Sequence, residues 1–195
     1  LSLGESTRVI QRGDADLCFS GSAESKLNVM GVLRLDFEGR LAHTGDETDG
    51  SRLVRPFDPA SAGSLIGEAG GILILEEADS AQARGVTAYA EIVGFGAAQS
   101  GDWLASGFDN DPAQEAEGIQ FAIENALDDA QLSPDAIDAI VPHAPGVPAL
   151  DAAEATALRS VFKARLPQIP LVTTSPNIGE AKAGNGGVAA AIAAA

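Results

Sequence analysis

A chain of 195 residues, 45% hydrophobic and 21% charged, has the make-up of a folded globular protein with a core of ordinary size. Its 12 lysines and arginines stand against 28 aspartates and glutamates, a formal charge of −16, which argues against a nucleic-acid binder and against attraction to anionic membrane surfaces. A single cysteine leaves no intrachain disulfide framework and suits a reducing, cytoplasmic setting; no membrane span or signal peptide is visible, and the opening Leu1 reads as a processed or partial chain. Residues 3–12 have a helical look, and Gly13-Asp14 stops them. Residues 15–20 (ADLCFS) form a short apolar run that suits a buried strand. Residues 39–63 are rich in Gly, Asp, Pro and Ser and read as a long excursion. GGILILEE at 70–77 is a strong strand, and residues 78–84 a short helix capped by Gly85. Residues 86–96 alternate and could pair as a neighbouring strand. The clearest helix is 112–130, with Asp111 as N-cap and Pro112 in the first turn. Ser133 starts a turn of helix, 139–141 is a short strand ending at Pro142-His143, 151–163 is helical, and 171–174 is strand-like. The alanine-rich 179–195 suits a closely packed buried helix. Such alternation points to an α/β fold with a mostly parallel sheet.

Generic chemical motifs are mostly missing. Gly184, Gly186 and Gly187 lack the Lys-Ser/Thr of a phosphate loop, and Gly94-Phe-Gly96 lacks a third glycine. His43, His143 and Cys18 give no zinc spacing, so no metal is expected. Asp109, Asp111, Glu115 and Glu117 read as acids complementing a helix dipole. Cys18, inside an apolar run, reads as an inert thiol, and His43, in the polar excursion, as a solvated side chain. His143 stands out because it follows a strand end, where α/β proteins place ligand-facing residues.

Several segments carry a family resemblance. Arg55-Pro-Phe-Asp58, Gly63, Gly67-Glu68-Ala-Gly-Gly71 and ILILEE resemble the Arg-Pro-Phe-Asp … Gly-Glu-Gly-Ala-Gly run of β-ketoacyl-[acyl-carrier-protein] synthases. Arg12-Gly-Asp-Ala-Asp16, Gly21 to Glu24, Ala83-Arg-Gly85, Tyr89-Ala-Glu91 and Val93-Gly94 are similar too. His143 to Pro148, Asp151 and Glu154 keep the spacing of His-Gly-Thr-x-Thr-Pro-x-x-Asp-x-x-Glu, and Ile178-Gly179 that of Ile-Gly-His. The matches are collinear along essentially the whole chain. The resemblance implies a thiolase-like layered α/β fold, helices around two mixed sheets, seen as a partial chain. Residues 1–86 would be the later part of the N-terminal half and 87–195 the earlier part of the C-terminal half.

The resemblance further implies acyl transfer in fatty-acid or polyketide synthesis: an acyl-cysteine, decarboxylation of a malonyl thioester, and attack of the carbanion on the acyl group. The family's nucleophilic cysteine falls before Leu1; Cys18 does not match it. Of the two histidines that stabilise the enolate oxygen, His143 matches the first, while Glu180 stands at the second. A carboxylate there repels an enolate unless burial keeps it protonated. The family lysine corresponds to Ser175 and its carboxylate partner to Glu154, which then needs another donor; Lys182 is one candidate. The two pantetheine-binding threonines correspond to Pro145 and Val147, and the family's Arg-Asp and Phe around Gly63 to Ser61, Ala62 and Ser64. Catalytic candidates are therefore His143, Glu180 and Glu154; substrate-binding candidates are Pro145, Val147, Ser64 and Ser175. No cofactor is implied. Expected partners are acyl and malonyl thioesters on a carrier protein or coenzyme A, and a second subunit in a homodimer or a heterodimer with a synthase. Alternatives are a non-condensing, chain-length-factor-like partner subunit, or a thioester hydrolase with Glu180 as base on water.

Overall fold

A computed structural model describes residues 1–100 and 112–195, leaving aside the side chains of Ser51, Pro112 and Gln114. In chain order the elements are α1 (Ser2–Gln11), β1 (Leu17–Ser25), α2 (Val29–Phe37), β2 (Glu68–Glu76), α3 (Ala78–Ala83), α4 (Pro112–Ala130), α5 (Pro148–Phe162), α6 (Ser175–Ile178) and α7 (Ala183–Ala194). Short 3-10 turns lie at Gly50–Arg52, Pro134–Ala136 and Lys163–Gln168.

Local chemistry sets several of these boundaries. The Asn28 side chain accepts the Gly31 N–H at 2.9 Å and starts α2. The Glu77 carboxylate accepts the Ser80 N–H at 2.8 Å and starts α3. Gly85, at φ +70°, ends α3 in a conformation that favours glycine. Pro148 occupies the first turn of α5. The α4 span agrees with the sequence reading; its expected cap, Asp111, and Asp109 of the acidic cluster lie outside the described residues. Glu115 does lie in the first turn of α4.

The sheet departs from expectation. β1 and β2 pair antiparallel, from Leu17 opposite Glu76 to Ser25 opposite Glu68. Parallel pairing survives among the described residues only as isolated bridges, Leu41 with Ser64, Ile66 with Glu180 and Ile140 with Leu171. The expected strands at 139–141 and 171–174 thus shrink to one bridge. Residues 86–96 join no ladder: Gly94 and Gly96 lie so close to α4 that a Cβ would come within 2.4 Å of the Ala126 carbonyl oxygen and 2.1 Å of that of Ala122. Only residues 94–96 are half-buried there; Tyr89, Ile92 and Val93 are exposed.

Residues 15–20 do not make a buried strand either. α7 covers one face of the β1–β2 pair. There the backbones approach so closely that a Cβ on Gly71 would lie 2.5 Å from the Gly187 carbonyl. The other face carries Phe19 and Ile74, directly opposite each other, with Ile72; they are 73%, 61% and 63% exposed. α7 itself is buried at Gly184, Asn185 and Gly187 and exposed towards its end. A separate apolar cluster of Leu127, Leu158, Val161, Phe162 and Ile169 joins α4 to α5, with Ile123, Ile137, Ile140 and Leu166 against it. That cluster fixes the base of α5, and the N-terminus of α5 carries the candidate site. No helix among the described residues is long and apolar enough to cross a membrane.

Candidate active site

The chain between the Ile140 bridge and α5, residues 141–147, is held by side chains rather than by a backbone ladder. The Glu154 carboxylate, one turn into α5, accepts the N–H of His143 through Oε1 and that of Ala144 through Oε2, both at 2.8 Å. Asp151, on the same helix, accepts the Gly146 N–H at 3.1 Å and the Phe57 N–H at 2.8 Å. Ser61 Oγ donates to the Gly146 carbonyl at 2.6 Å, and Ser175 Oγ donates to the Ala144 carbonyl. The loop around Arg55-Pro-Phe-Asp58 is thereby tied to the His143 loop. Both carboxylates lie on α5 three residues apart, so one helix face supplies all four acceptor contacts.

The backbone so held is strained. Ala144 sits at φ +35°, where a Cβ is disfavoured by about 1–2 kcal/mol, and it occupies the glycine position of the His-Gly-Thr pattern. The bonds from Glu154 and Ser175 hold both its peptide groups, which lets the strain persist.

Glu180 faces this loop from the turn after α6. It is completely buried, and all its polar groups are engaged. Its N–H donates to the Leu65 carbonyl at 2.7 Å, and its carbonyl accepts the Gly67 N–H at 3.1 Å. Its Oε1 accepts the Lys182 N–H at 2.8 Å, and its Oε2 lies 3.1 Å from His143 Nε2. That last contact places one proton between imidazole and carboxyl. Gly67 and Gly179 let these chains meet: a Cβ on Gly67 would come within 2.0 Å of the Ile178 carbonyl oxygen, and Gly179 has φ +73°. The His143 side chain is 46% exposed, so one edge of the pair meets solvent and the other is buried.

The electrostatics divide the acids into two kinds. Burial pushes the Asp151 carboxyl above the usual range and outweighs its two backbone N–H donors; the nearby Glu154 pushes the same way, and His143 opposes. Burial would also raise Glu38, but hydrogen bonds from Arg34 and Lys182, with the charges of Lys182 and Arg40, bring it below the usual range. Lys182 Nζ is 3.2 Å from Glu38 Oε2, so it does not serve Glu154. The donors to Glu154 are the backbone N–H groups of His143 and Ala144, not the cation expected there.

The structure thus brings His143, Glu180 and Glu154 together. Ser64 and Ser175 are fully buried, and Pro145 and Val147 are buried in the same loop. Ser64 exchanges backbone hydrogen bonds with Arg40 and Ala42, so its place is set by the chain rather than by its hydroxyl. His43 is 84% exposed and 3.1 Å from Asp36, away from this constellation, and Cys18 is half-buried in β1. Asp151 and Ser61 hold the loop although neither stood among the candidates. The Asp-x-x-Glu spacing was the available signal for Asp151; nothing in the sequence pointed to the Ser61 contact. No group of three or more His, Cys, Asp or Glu among the described residues is placed to hold a metal.

Comparison with known proteins places the chain in a family. Residues 89–195 match the family described as beta-ketoacyl synthase, C-terminal domain. The chain is 32% identical over 193 residues to 3-oxoacyl-[acyl-carrier-protein] synthase 2 of Staphylococcus aureus, covering 99% of this chain and 46% of that protein. It is 36% identical over 161 residues to the mitochondrial 3-oxoacyl-[acyl-carrier-protein] synthase of Arabidopsis thaliana, covering 83% and 34%. Among solved structures it is similar to the ishigamide ketosynthase/chain length factor, with 29% identity, TM-score 0.82, and coverage of 99% of this chain and 43% of that one. It is also similar to AntDE:AntF, a type II PKS acyl-carrier protein in complex with its ketosynthase bound to the hexaketide, with 27% identity, TM-score 0.90, and coverage of 99% and 46%. The chain spans less than half the length of these relatives. The fold is the thiolase-like one of the ketosynthases, and the chain belongs to the β-ketoacyl synthase family.

Proposed function

We propose that this chain forms part of a β-ketoacyl synthase-like acyltransferase of fatty-acid or polyketide synthesis, acting on acyl and malonyl thioesters. The observation that supports this reading most is the clamp on His143. Two carboxylates of α5 and the Ser175 hydroxyl hold the loop so that the imidazole reaches solvent on one side and Glu180 on the other. In this reading residues 1–86 belong to the first half of the thiolase-like fold and 87–195 to the second. His143 and Glu180 face the thioester carbonyl, Glu154 positions His143, and Pro145, Val147, Ser64 and Ser175 form the wall against its pantetheine arm. The thioester is carried by a carrier protein or coenzyme A, and the protein works in the cytoplasm as a homodimer or with a synthase partner.

A second reading, a non-condensing partner subunit of the chain-length-factor kind, is favoured by the same pair. One ring nitrogen of His143, Nε2, is taken by Glu180 rather than left for an enolate oxygen. One experiment separates the two. The full-length protein is incubated with an acyl thioester and with a malonyl thioester, and acyl adduct and carbon dioxide are measured. Adduct with carbon dioxide supports condensation; absence of any adduct overturns it in favour of the partner subunit. Glu180→His is expected to increase malonyl decarboxylation, and His143→Ala to lower thioester turnover; unchanged turnover in His143→Ala removes His143 from the chemistry.

A further inference from the structure

We propose that His143 and Glu180 form a hydrolytic dyad, in which Glu180 is the positioning residue and His143 Nδ1 the general base that releases an acyl thioester as its free acid. The inference rests on the reading above that this site holds acyl thioesters. Four features carry it. Glu180 is fully buried, and its N–H, its carbonyl and both carboxylate oxygens are hydrogen-bonded, so the carboxylate has one position. Oε2 meets His143 at Nε2, and an imidazole whose Nε2–H faces a carboxylate keeps its lone pair on Nδ1. Among the described residues Nδ1 has no hydrogen-bond partner, and the side chain as a whole is 46% exposed. Finally, the loop under the ring is fixed by Glu154 and Ser175, which keeps the imidazole from following the substrate.

This is the logic of an acid-oriented histidine, with the buried carboxylate setting the tautomer and stabilising the imidazolium that forms. It is the opposite of what enolate stabilisation needs. A donor to a developing oxyanion must point its N–H at that oxygen, while here Nε2 faces the Glu180 carboxyl at 3.1 Å. The step balances without a further reactant. Water adds through its oxygen to the thioester carbonyl carbon as Nδ1 takes its proton. The tetrahedral intermediate then breaks the C–S bond, and the leaving thiolate takes the proton back from the imidazolium. Acid and thiol leave, with no change of oxidation state.

The test uses the full-length protein and the octanoyl thioester of N-acetylcysteamine, with thiol release followed in the native protein, Glu180→Gln and His143→Gln. Release is expected to fall about 100-fold or more in kcat in both variants, with KM changed less than twofold. Nitrogen-15 NMR of the His143 ring supplies the reading that a merely structural role would not move. In the native protein the unprotonated nitrogen is Nδ1, and Glu180→Gln, whose amide can donate to Nε2, moves it to Nε2. Native release in either variant, or an unprotonated Nε2 in the native protein, overturns the dyad. Because His143 is exposed, His143→Gln keeps the test sound should Glu180→Gln lower the melting temperature. Malonyl decarboxylation and acyl adduct in the same samples keep the two readings apart: with these intact and release unaffected, the dyad fails and the family function stands. With no acyl thioester bound at all, the reading of the site fails.

Discussion

The two histidines of this chain sit in loops of opposite character. His43 lies in the polar excursion before β2, 84% exposed, with one contact to Asp36, itself 45% exposed. His143 lies in a loop where Glu154, Asp151, Ser61 and Ser175 take up backbone groups one after another, and its ring meets a carboxylate with no exposure at all. The same side chain is therefore a solvated surface group in one place and a fixed reagent in the other. What distinguishes them is not nearby charge, since both face an acid. It is whether the backbone beneath the ring has any freedom left.

That contrast can be broken from several sides. The largest effect is expected from Glu154→Ala, which removes the acceptor of two N–H groups. Stability should fall by roughly 3 kcal/mol in denaturant titration, with thioester turnover falling alongside. If turnover survives, the clamp does not matter to the chemistry. Asp151→Asn should change the pH dependence of stability. Because burial raises the Asp151 carboxyl, the folded state holds that proton more tightly than the unfolded chain, whose value is near 3.8. The stability it contributes is full below pH 3.8 and lost as pH rises through the raised folded value. Asp151→Asn should therefore gain on the native protein as pH climbs through that window, as read by melts across a pH series; a constant difference contradicts the assignment. Ala144→Gly should relieve the positive φ and stabilise by up to about 1 kcal/mol, the larger unfolded-state entropy of glycine offsetting part of the gain. The smallest effect belongs to His43→Ala, which should leave thioester turnover unchanged within error. A measurable loss would mean that the two loops are not so different after all.

The sequence made some of this legible and hid the rest for physical reasons. α4 could be read to its ends, because Pro112 and a long run of helix formers act locally. α2 has apolar residues all round: Leu35 is buried while Val29, Met30, Leu33 and Phe37 are exposed, so the pattern does not separate inside from outside. Alternation at 86–96 suggests a neighbouring strand but does not show where the segment lies, because the Gly94 and Gly96 approaches to α4 depend on residues about thirty positions later. At the site, His143, Glu154 and Glu180 were reachable through spacing and family resemblance. The partner of Glu154 was not. A missing lysine suggests another cation, whereas the donors are peptide N–H groups whose orientation exists only once Ala144 has turned to positive φ. Lys182, the cation nearby in sequence, is drawn to Glu38 across 144 positions of chain.

The close contact of α7 with the β1–β2 pair also bears on how the protein is made. The Gly187 N–H reaches the Ser22 hydroxyl at 3.0 Å across 165 positions of chain. At about 5–20 residues per second, a ribosome needs on the order of ten to thirty seconds to supply the second residue after the first. During that interval the two strands can pair, but the face meant for α7 stays open, and its glycines offer bare backbone to any other chain. Contacts of this separation form late and slowly. The nascent chain therefore passes through a stage in which the face of the β1–β2 pair that α7 covers is open until α7 has been made.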